Sequence, residues 1–490
     1  MSRSVSVAAV AQALEDAGLL AGRRGALPDR ILGITDDSRA ITRGGAFVAV
    51  RGTQRDGHAF LGGADGAGAA LAVVEDASAT SLPALIVHDG RRAAAVAAAT
   101  YYAAPASFLR MAAVTGTNGK TTTVGMLRHL LDAPGARAAS IGTLGVLVGS
   151  AGDPLPGGGG LTTPGPIELQ RVLRALVDAG VRNVAMETSS HALDQGRVEG
   201  LRFAAAVFTN LTRDHLDYHG TFEAYFWAKA MLIGYLLPDG TAVSNADDTA
   251  WAELPDAPRR LSFGVTAEGA DVRAESVVFA PRGSQWTLVH RHVRADVTLP
   301  LIGDFNVANA LGAAAAAIAM GLDVPTVASR LSTLPQVPGR LEILSEHPTV
   351  LRDYAHTPDA LERALMALRP FTPGRLIVLF GCGGDRDKGK RPMMADAAHR
   401  LADAVVVTSD NPRTEDPERI LDDICAVLPA GSYERIEDRR TAIAAAIAMA
   451  DPARDVVLLA GKGHETYQIR GTTSYPFDEA AIVRGLLGAE

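Results

Sequence analysis

The stretch that decides the fold is MAAVTGTNGKTTTVGMLRHLL at residues 111–131. Its first four residues form an apolar run typical of a buried strand, and the apolar spacing of residues 124–131 predicts a helix. Between the two, GTNGKT at residues 116–121 offers backbone amides and a lysine to phosphates and a hydroxyl to magnesium. Val114 stands where the commonest phosphate loop has its first glycine, but the strand before and the helix after favour a nucleotide site over a plain glycine turn. The loop by itself fits ATP and GTP equally.

The segments that follow this loop extend the same pattern. Strands are predicted at residues 184–186 and 204–208, with helix-like segments between them, so the sheet is expected to be mostly parallel. The apolar spacing predicts one helix over residues 222–237. It also predicts a buried, alanine-rich helix over residues 310–322, which is too short to span a bilayer.

Two further regions flank the central one. Short apolar runs and glycine-rich turns before residue 105 predict a small α/β domain, and LPQVPGR at residues 334–340 predicts a hinge. Beyond the hinge, apolar runs predict strands at 376–380, 404–407 and 456–460, and helical spacing predicts helices at 417–428 and 441–449. We therefore predict an α/β protein of three domains, with a small domain at 1–105, a central phosphate-loop ATPase-like sheet at 106–337 and a Rossmann-like domain at 338–490.

Composition limits the classes of function. The formal charge of −8 argues against a field that attracts nucleic acid as a whole. Two cysteines, Cys382 and Cys425, make neither a disulfide framework nor a CxxC metal cluster, which fits a reducing cytoplasm. Polar residues interrupt the apolar core that an N-terminal signal peptide would need. We expect a cytoplasmic protein with no membrane insertion and no nucleic-acid partner.

Polar side chains follow the central strands. Glu187 comes directly after the strand predicted at 184–186, where it can face a metal ion or, alternatively, solvent. The run TNLTRDHLDYHG at 209–220 follows the next strand, and either of its histidines can be a ligand or a hydrogen-bonded structural residue. Lys229 lies beside an apolar helix stripe, where the residues alone favour a structural role.

Three polar loops follow the strands of the last region. They are GCGGDRDKGKR at 381–391, DNPR at 410–413 and GKGHE at 461–465. An arginine in such a loop can grip a carboxylate with two hydrogen bonds, and a glutamate can pair with an amino group. Each loop taken singly can also be an ordinary solvated loop. Together they suit a zwitterion, because the carboxyl ends of parallel strands share one edge of a sheet.

Taken together, GTNGKTTT, METSSHAL, FTNLTRDHLDYHG, NADD, DYAHTPDAL, GCGGDRDKGKRP, DNPR and GKGHE resemble motifs of the Mur ligases of peptidoglycan synthesis. The resemblance runs from about Asp37 to Glu465. It implies a uridine-nucleotide domain, a central ATPase domain and a Rossmann-like domain that closes over the site. In such ligases ATP phosphorylates a substrate carboxylate, an amine attacks the acyl phosphate, and a tetrahedral intermediate loses phosphate.

The resemblance implies ATP and Mg²⁺ as cofactors. The ATP-binding residues that it implies are Gly116, Thr117, Asn118, Gly119, Lys120, Thr121, Thr122, Asn309, Arg340 and Asp353. Lys120 would hold the γ phosphate, Thr121 and Glu187 one magnesium ion, and His215 with a carbamylated Lys229 the second. Lys120, Glu187, His215 and Lys229 are thus the implied catalytic residues. Carbamylation turns the lysine into an oxygen ligand that suits a hard metal.

The resemblance also implies two further substrates, UDP-N-acetylmuramoyl-L-alanyl-D-glutamate and meso-2,6-diaminopimelate. The residues implied for the first are Ser38, Thr162, Thr163, Ser189, Gln195 and Arg197. Leu161 departs from the polar residue expected beside them. The residues implied for the second are Arg386, Asp410, Asn411, Pro412, Arg413, Gly461 and Glu465. Arg413 in DNPR is typical of ligases that use diaminopimelate, since its guanidinium can bind the carboxylate that lysine lacks.

Two other readings remain open at this point. A ligase of the same superfamily that adds another amino acid would keep the ATP site but should lack DNPR together with GKGHE. A phosphate-loop switch or motor would need only the central domain and would leave the three last loops unexplained. We expect the protein to act as a monomer.

Overall fold

The computed structural model describes residues 3–52, 55–158 and 160–488. The chain divides into two compact units. The first contains the described residues up to Arg273 together with Leu288–Ala295 and Ala308–Arg330, and the second contains Ala274–Thr287, Asp296–Val307 and the described residues from Leu331 onward.

The first hundred residues form a small sheet covered by helices. Its strands are β1 (Val5–Ser6), β2 (Leu20–Arg24), β3 (Arg30–Ile31), β4 (Ile34–Thr35), β5 (Ala46–Val48), β6 (Leu71–Val74) and β7 (Ala84–Val87), and its helices are α1 (Val7–Asp16), α2 (Leu61–Gly66) and α3 (Gly90–Tyr101). The main sheet has the order β2-β7-β6-β5-β4. The side chain of Asp89 caps α3 by accepting from the amides of Arg91 and Arg92.

The region after it carries the large sheet. Its strands are β8 (Arg110–Thr115), β9 (Ala138–Gly142), β10 (Gly145–Val148), β11 (Asp153–Leu155), β12 (Asn183–Glu187), β13 (Phe203–Phe208), β14 (Leu236–Asn245), β15 (Arg259–Gly264), β16 (Val272–Ala280), β17 (Gly283–His290) and β18 (Val293–Leu299). Its helices are α4 (Lys120–Leu131), α5 (Pro166–Asp178), α6 (Ser190–Asp194), α7 (Leu216–His219), α8 (Phe222–Ala230), α9 (Asp304–Ala319) and α10 (Val324–Leu331).

Strand β8 lies between two parallel neighbours. Val114 pairs with Glu187 of β12 on one side, and Thr115 pairs with Phe208 of β13 on the other. Strands β9, β14 and β15, which the sequence analysis did not predict, continue the parallel pairing outward and agree with the mostly parallel sheet that it did predict. The antiparallel hairpin of β10 with β9, and β11 beyond it, was not predicted. The parallel register places the ends of β8, β12 and β13 at the same edge of the sheet.

The helix predicted over residues 222–237 was wrong at its second half. Helix α8 ends at Ala230, a short 3₁₀ turn covers Met231–Tyr235, and β14 begins at Leu236. Leu236 pairs with Phe203 of β13, and this sheet pairing outweighs the local helical spacing. Pro238 two residues later has no amide hydrogen to continue a helix.

The last region forms a second sheet. Its strands are β19 (Glu342–Glu346), β20 (Thr349–Asp353), β21 (Leu376–Phe380), β22 (Ala404–Val407), β23 (Glu434–Arg435), β24 (Val456–Ala460), β25 (Tyr467–Arg470) and β26 (Thr473–Pro476). Its helices are α11 (Pro358–Leu368), α12 (Lys390–Leu401), α13 (Pro417–Cys425), α14 (Arg439–Ala448) and α15 (Glu479–Leu487). The sheet has the order β19-β20-β24-β21-β22-β23, and only β19 is antiparallel to its neighbour.

The predicted fold class, α/β with a phosphate-loop sheet and a Rossmann-like sheet, is confirmed. The three strands predicted in the last region have the predicted bounds, whereas α13 ends three residues earlier than expected, at Cys425. Helix α14 starts at Arg439, two residues before the predicted start, because Asp438 caps it by accepting from the amide of Thr441. Residues 334–340 contain neither helix nor strand. Across the described ranges, no helix has the length and apolar character to cross a membrane.

Candidate active site

The phosphate loop joins the end of β8 to the start of α4. Gly116 has a φ of +146°, and a Cβ atom there would overlap the hydroxyl of Thr209 in the loop after β13. Gly119 has a φ of +83°, and a Cβ atom there would overlap the side-chain oxygen of Asn309 on α9. Both positions therefore require glycine, since the backbone must pass close to its neighbours. The loop ends at the amino terminus of α4, where helix amides favour an anion.

Two lysines converge on one carbonyl of this loop. Lys120 Nζ donates to the carbonyl oxygen of Gly116 at 2.9 Å and to that of Thr117 at 2.7 Å. Lys229 Nζ, on α8, donates to the same Gly116 oxygen at 2.8 Å. The sequence patterns alone favoured a structural Lys229, yet its side chain is buried beside the phosphate loop. It also lies 4.4 Å from the ring centroid of Tyr225.

The surroundings of Lys229 favour its uncharged form. Burial lowers the pKa of Lys229 well below its usual value, and the nearby ammonium of Lys120 lowers it further. The carboxylate of Asp214 opposes these effects but is the weakest of the three influences. The surroundings of Lys229 therefore favour the neutral amine more strongly than those of an exposed lysine do.

Histidines lie next to this pair of lysines. The ring of His215 lies 6.1 Å from that of Tyr225 and 4.7 Å from that of His191. His219 shares a 3.0 Å hydrogen bond with the hydroxyl of Ser190. Partial burial, followed by the charges of His215 and His219, lowers the pKa of His191 to about 4. Both histidines of the 209–220 loop therefore lie near Tyr225, His219 with its ring centroid 5.3 Å away, and His219 is also hydrogen-bonded to α6.

Glu187, the last residue of β12, does not face solvent. Its side chain is buried and accepts from the amide of Thr143 at 2.8 Å and from the Thr143 hydroxyl at 3.2 Å. A Cβ atom on Gly142 would overlap its carboxylate, so β9 approaches Glu187 closely. The amide of Thr188 donates to the carbonyl oxygen of Val114 at 2.9 Å, which ties the end of β12 to β8.

Five of the six residues implied for the UDP-linked substrate gather beside Glu187. Thr163 Oγ1 donates to the Glu187 carbonyl oxygen at 3.0 Å, and the amide of Ser189 donates to Thr163 Oγ1 at 3.1 Å. Arg197 donates to the Thr163 carbonyl at 3.0 Å and to the Gln195 side chain at 2.6 Å.

The remaining implied residues are Thr162 and Ser38, and Leu161 stands next to Thr162 in the sequence. Thr162 joins the group through the Thr143 hydroxyl at 3.3 Å, and Leu161 is exposed. Ser38 lies apart from these contacts, in a 3₁₀ turn between β4 and β5.

A second group of polar residues lies at the carboxyl edge of the Rossmann-like sheet. The loops after β21, β22 and β24 bring Gly381, Asp410 and Gly461 together, with a Cβ on Gly461 lying 3.6 Å from an Asp410 oxygen. Asn411 Nδ2 donates to Glu465 at 2.9 Å. Burial raises the pKa of the Glu465 carboxyl, against the opposing effects of Asn411 and Lys462.

Arg413 is held over the same loops. Its φ is +51°, its guanidinium donates to the Gly384 carbonyl at 2.9 Å, and its amide donates to the Ile469 carbonyl at 3.1 Å. A Cβ on Gly383 would lie 2.9 Å from the Arg413 guanidinium and 3.6 Å from the Cγ of Arg386. Pro412, between Asn411 and Arg413, is buried. The structure thus brings together the residues that the sequence assigned to the amino-acid substrate.

Backbone contacts lock residues 337–340 onto the GKGHE loop of the same unit. Gly339 has a φ of +67°, and a Cβ there would lie 2.7 Å from Gly463 Cα and would overlap the His464 nitrogen. Gly463 in turn approaches Tyr354, whose Cβ would lie 2.7 Å from a Cβ on Gly463. The guanidinium of Arg340 lies 4.9 Å from the Tyr354 ring centroid, and Asp353 accepts from the amide of Leu341 at 2.7 Å.

Sequence reasoning missed several residues of these groups. Thr143 escaped notice because β9 was not predicted, although its position after a strand is the same signal that identified Glu187. Tyr225 belongs to none of the quoted motifs, although its hydroxyl lies 3.2 Å from that of Thr117. Lys462 stands within the quoted GKGHE motif, and its complete burial could not be read from a loop sequence.

Comparison with known proteins assigns the chain to a family. Residues 114–317 match the Mur ligase middle domain, and residues 339–463 match the Mur ligase glutamate ligase domain. A relative from Gloeobacter violaceus, named UDP-N-acetylmuramoyl-L-alanyl-D-glutamate–2,6-diaminopimelate ligase, is 46% identical over 94% of this chain and 95% of its own length. The chain belongs to the Mur ligase family.

Other relatives of this Mur ligase agree with that assignment. A protein of the same name from Geobacillus thermodenitrificans is 44% identical over 94% of this chain and 95% of its own length. A solved structure with that name has a TM-score of 0.66 and 34% identity, covering 94% of this chain and 95% of its own. A solved ligase from Thermotoga maritima in complex with ADP has a TM-score of 0.63 at 19% identity, covers 93% of this chain and 96% of its own, and supports the fold alone.

The magnesium ligands that the resemblance implies stay a prediction in this Mur ligase. In the described part of the chain, no group of three or more histidine, cysteine, aspartate or glutamate side chains is placed to hold a metal ion. The implied set differs from such a group, since it includes the hydroxyl of Thr121 and a modified Lys229. A neutral, buried amine is the form of lysine that adds carbon dioxide, and Glu187 supplies a buried carboxylate on the neighbouring strand.

Lys229→Met should raise the melting temperature of this Mur ligase near pH 7 in bicarbonate-free buffer. The unfolded chain holds the lysine proton up to the ordinary pKa of about 10.4, whereas the folded protein releases it at a lower pH, so the wild-type free energy of unfolding increases with pH between the two pKa values. Methionine removes this dependence, and the Gly116 oxygen keeps Lys120 as a donor. Thermal melts at pH 7 and pH 10 should show the difference between variant and wild type shrinking. A constant difference contradicts the neutral amine.

Gly339→Ala should destabilise the protein through backbone overlap rather than through φ strain alone. Gly431 is the matched control, since its φ is +80° and a Cβ there would have no atom within 4 Å. Left-handed strain costs about 1–2 kcal/mol at either site, and overlap in a packed region adds about 1–3 kcal/mol at Gly339. Thermal melts should show a loss of stability for Gly339→Ala about 1.5 to 4 times that for Gly431→Ala. Equal losses would mean that residues 337–340 do not lock the GKGHE loop.

Proposed function

We propose that this Mur ligase joins meso-2,6-diaminopimelate to UDP-N-acetylmuramoyl-L-alanyl-D-glutamate, with ATP as the source of energy, in peptidoglycan precursor synthesis. The observation that supports the choice of amino acid is Arg413, which reaches over the loops of Asn411 and Glu465. The reaction takes place in the cytoplasm, where free buried thiols such as Cys382 and Cys425 stay reduced, and the protein acts as a monomer.

The phosphate loop binds ATP in this proposal. The amides at the start of α4 and the Lys120 ammonium neutralise the β and γ phosphates, and Thr121, Thr122 and Asn309 complete the site from α4 and α9. Arg340 and Asp353 contribute when the Rossmann-like domain closes. Thr121, Glu187, His215 and a carbamylated Lys229 hold magnesium, which when bound neutralises charge on the transferring phosphate.

The UDP-linked substrate is held by Ser38 and by the group around Arg197. Arg197 is positioned by Thr163 and Gln195, and Ser189 adds a hydroxyl at the cap of α6. The D-glutamyl carboxylate of this substrate takes the γ phosphoryl group and becomes an acyl phosphate. Much of the rate enhancement comes from positioning and charge neutralisation, because phosphoryl transfer leaves little covalent work to the protein.

Diaminopimelate meets the acyl phosphate with a free amine. Arg413 and Arg386 hold one of its carboxylates, and Asp410 and Glu465 accept hydrogen bonds from an ammonium group, with Asn411, Pro412 and Gly461 shaping the site. The amine attacks the acyl carbon, the tetrahedral intermediate expels phosphate, and an amide remains. Lysine lacks the second carboxylate and would leave the Arg413 guanidinium without its acceptor.

A phosphate-release assay tests the proposal. Purified enzyme with ATP, magnesium and UDP-N-acetylmuramoyl-L-alanyl-D-glutamate is given diaminopimelate, L-lysine, D-glutamate or D-alanyl-D-alanine in separate reactions. We expect release with diaminopimelate and at least about 100-fold lower kcat/KM with lysine, because a site built for a polar group rejects an analogue that lacks it. Equal turnover of lysine refutes the amino-acid assignment, and release independent of the UDP-linked substrate refutes ligase chemistry.

Arg413→Ala should lower kcat/KM for diaminopimelate by about 10- to 100-fold, the cost of one charge-assisted hydrogen-bonded pair. The KM for ATP should stay within about twofold, since the arginine lies in the amino-acid loops. Arg419→Ala is the control, because Arg419 is an exposed arginine on α13 and its removal makes the same change of charge. Unchanged kinetics for diaminopimelate in Arg413→Ala would remove Arg413 from the site.

A further inference from the structure

Lys462 carries a charge into the interior of the Rossmann-like domain. Its side chain has 0% exposure, and its Nζ lies 2.7 Å from the Tyr467 carbonyl oxygen and 3.1 Å from Asn411 Oδ1. Two carboxylates approach the same ammonium, Asp410 at 3.3 Å and Glu465 at 3.5 Å. A buried cation without such partners would be strongly destabilising. Lys462 therefore stands at the centre of the residues implied for the amino-acid substrate, although no motif assigns it a role there.

Lys462 and the backbone amide of Ile469 together determine which way the Asn411 amide points. Asn411 Oδ1 accepts from Lys462 Nζ and also from the amide of Ile469 at 2.9 Å. Both donors require an oxygen at that position, because a side-chain NH₂ group accepts no hydrogen bond. The amide nitrogen must then face Glu465, to which it donates at 2.9 Å. One N–H bond of Nδ2 is used by Glu465, and the second remains to donate to a ligand.

The same contacts set the charge of the site. Asp410 and Glu465 bring two negative charges to the one positive charge of Lys462, so the group keeps a net negative charge that attracts an ammonium group. Without Lys462, the two carboxylates would face each other with no buried cation between them. Burial already raises the pKa of Glu465, and Lys462 is among the groups that oppose this effect.

Lysine suits this position better than arginine. The chain has 47 lysines and arginines together, and its five lysines are Lys120, Lys229, Lys388, Lys390 and Lys462. An ammonium group directs three hydrogens towards partners on different sides, whereas a guanidinium presents a flat fork. Lys462 has four partners on different sides, two on the segment of Asp410 and Asn411 and two on the segment of Glu465 and Tyr467.

We propose that Lys462 is a positioning residue for the amino-acid substrate: it fixes the orientation of the Asn411 amide and holds Asp410 and Glu465 as the anionic wall that binds the substrate ammonium. The proposal rests on the proposed function, since it concerns the site that takes diaminopimelate. It assigns Lys462 an effect on the binding of that substrate alone and no contact with the reacting atoms.

Steady-state kinetics of Lys462→Met tests this role. We expect the KM for diaminopimelate to increase by about 10- to 100-fold, in line with the loss of charge-assisted hydrogen bonds, while kcat and the KM for ATP change less than about threefold. Arg484→Met is the control for loss of a cation, because Arg484 is exposed on α15. A lysine that served stability alone would lower the melting temperature and leave the KM unchanged. That outcome, or an equal increase in the KM for ATP, overturns the proposal.

A double-mutant cycle tests whether Lys462 acts through Asn411. Lys462→Met and Asn411→Ala should be strongly non-additive, with the double variant little worse than the worse single variant. Additive effects overturn the proposed route. If Lys462→Met does not fold, Lys462→Gln takes its place, since it keeps a donor without the charge, and an unchanged KM in that variant overturns the proposal. Wild-type enzyme that turns over a different amino acid refutes the proposed function, and the same comparison of KM values is then made with that amino acid.

Discussion

The parallel pairing of β8 with β12 and β13 is the constraint on which the central site depends. Pairing of Val114 with Glu187, and of Thr115 with Phe208, brings three strand ends to one edge. The phosphate loop, Glu187 and the 209–220 loop then meet at that edge of the sheet as a result of the backbone pairing alone. A shift of β12 by one residue would turn Glu187 to the other face of the sheet. The hydrogen-bond register of the backbone thus brings together side chains that are far apart in the sequence.

Each unit contains a buried lysine, and the two lysines have opposite electrostatic surroundings. Lys229 is buried beside a second ammonium, and its pKa is lowered well below the usual value. Lys462 is equally buried but has two carboxylates within 3.5 Å, so its charge is matched. Burial alone therefore does not decide the state of a lysine. Its neighbours decide whether the neutral or the charged form is favoured.

Prediction from the sequence succeeded where the signal is local. An apolar run followed by a polar loop identified β8, β12, β13, β21, β22 and β24, and with them Glu187 and Arg413. It failed where distant residues decide the outcome. Leu236 joins β14 because Phe203 lies opposite, and the Asn411 amide is oriented by a lysine 51 positions away. The grouping of Thr163 with Arg197 is likewise a matter of packing, which motif spacing does not encode.

The contact between Gly339 and the GKGHE loop joins backbone to backbone, with no side chain on either side. The spacing of such a contact cannot be adjusted in small steps, because the smallest substitution of a glycine adds a whole methyl group. Substitutions cannot widen or narrow it gradually, as they can a pocket lined by leucines. The backbone frame beside the GKGHE loop is therefore fixed, and only the side chains around it can change in small steps.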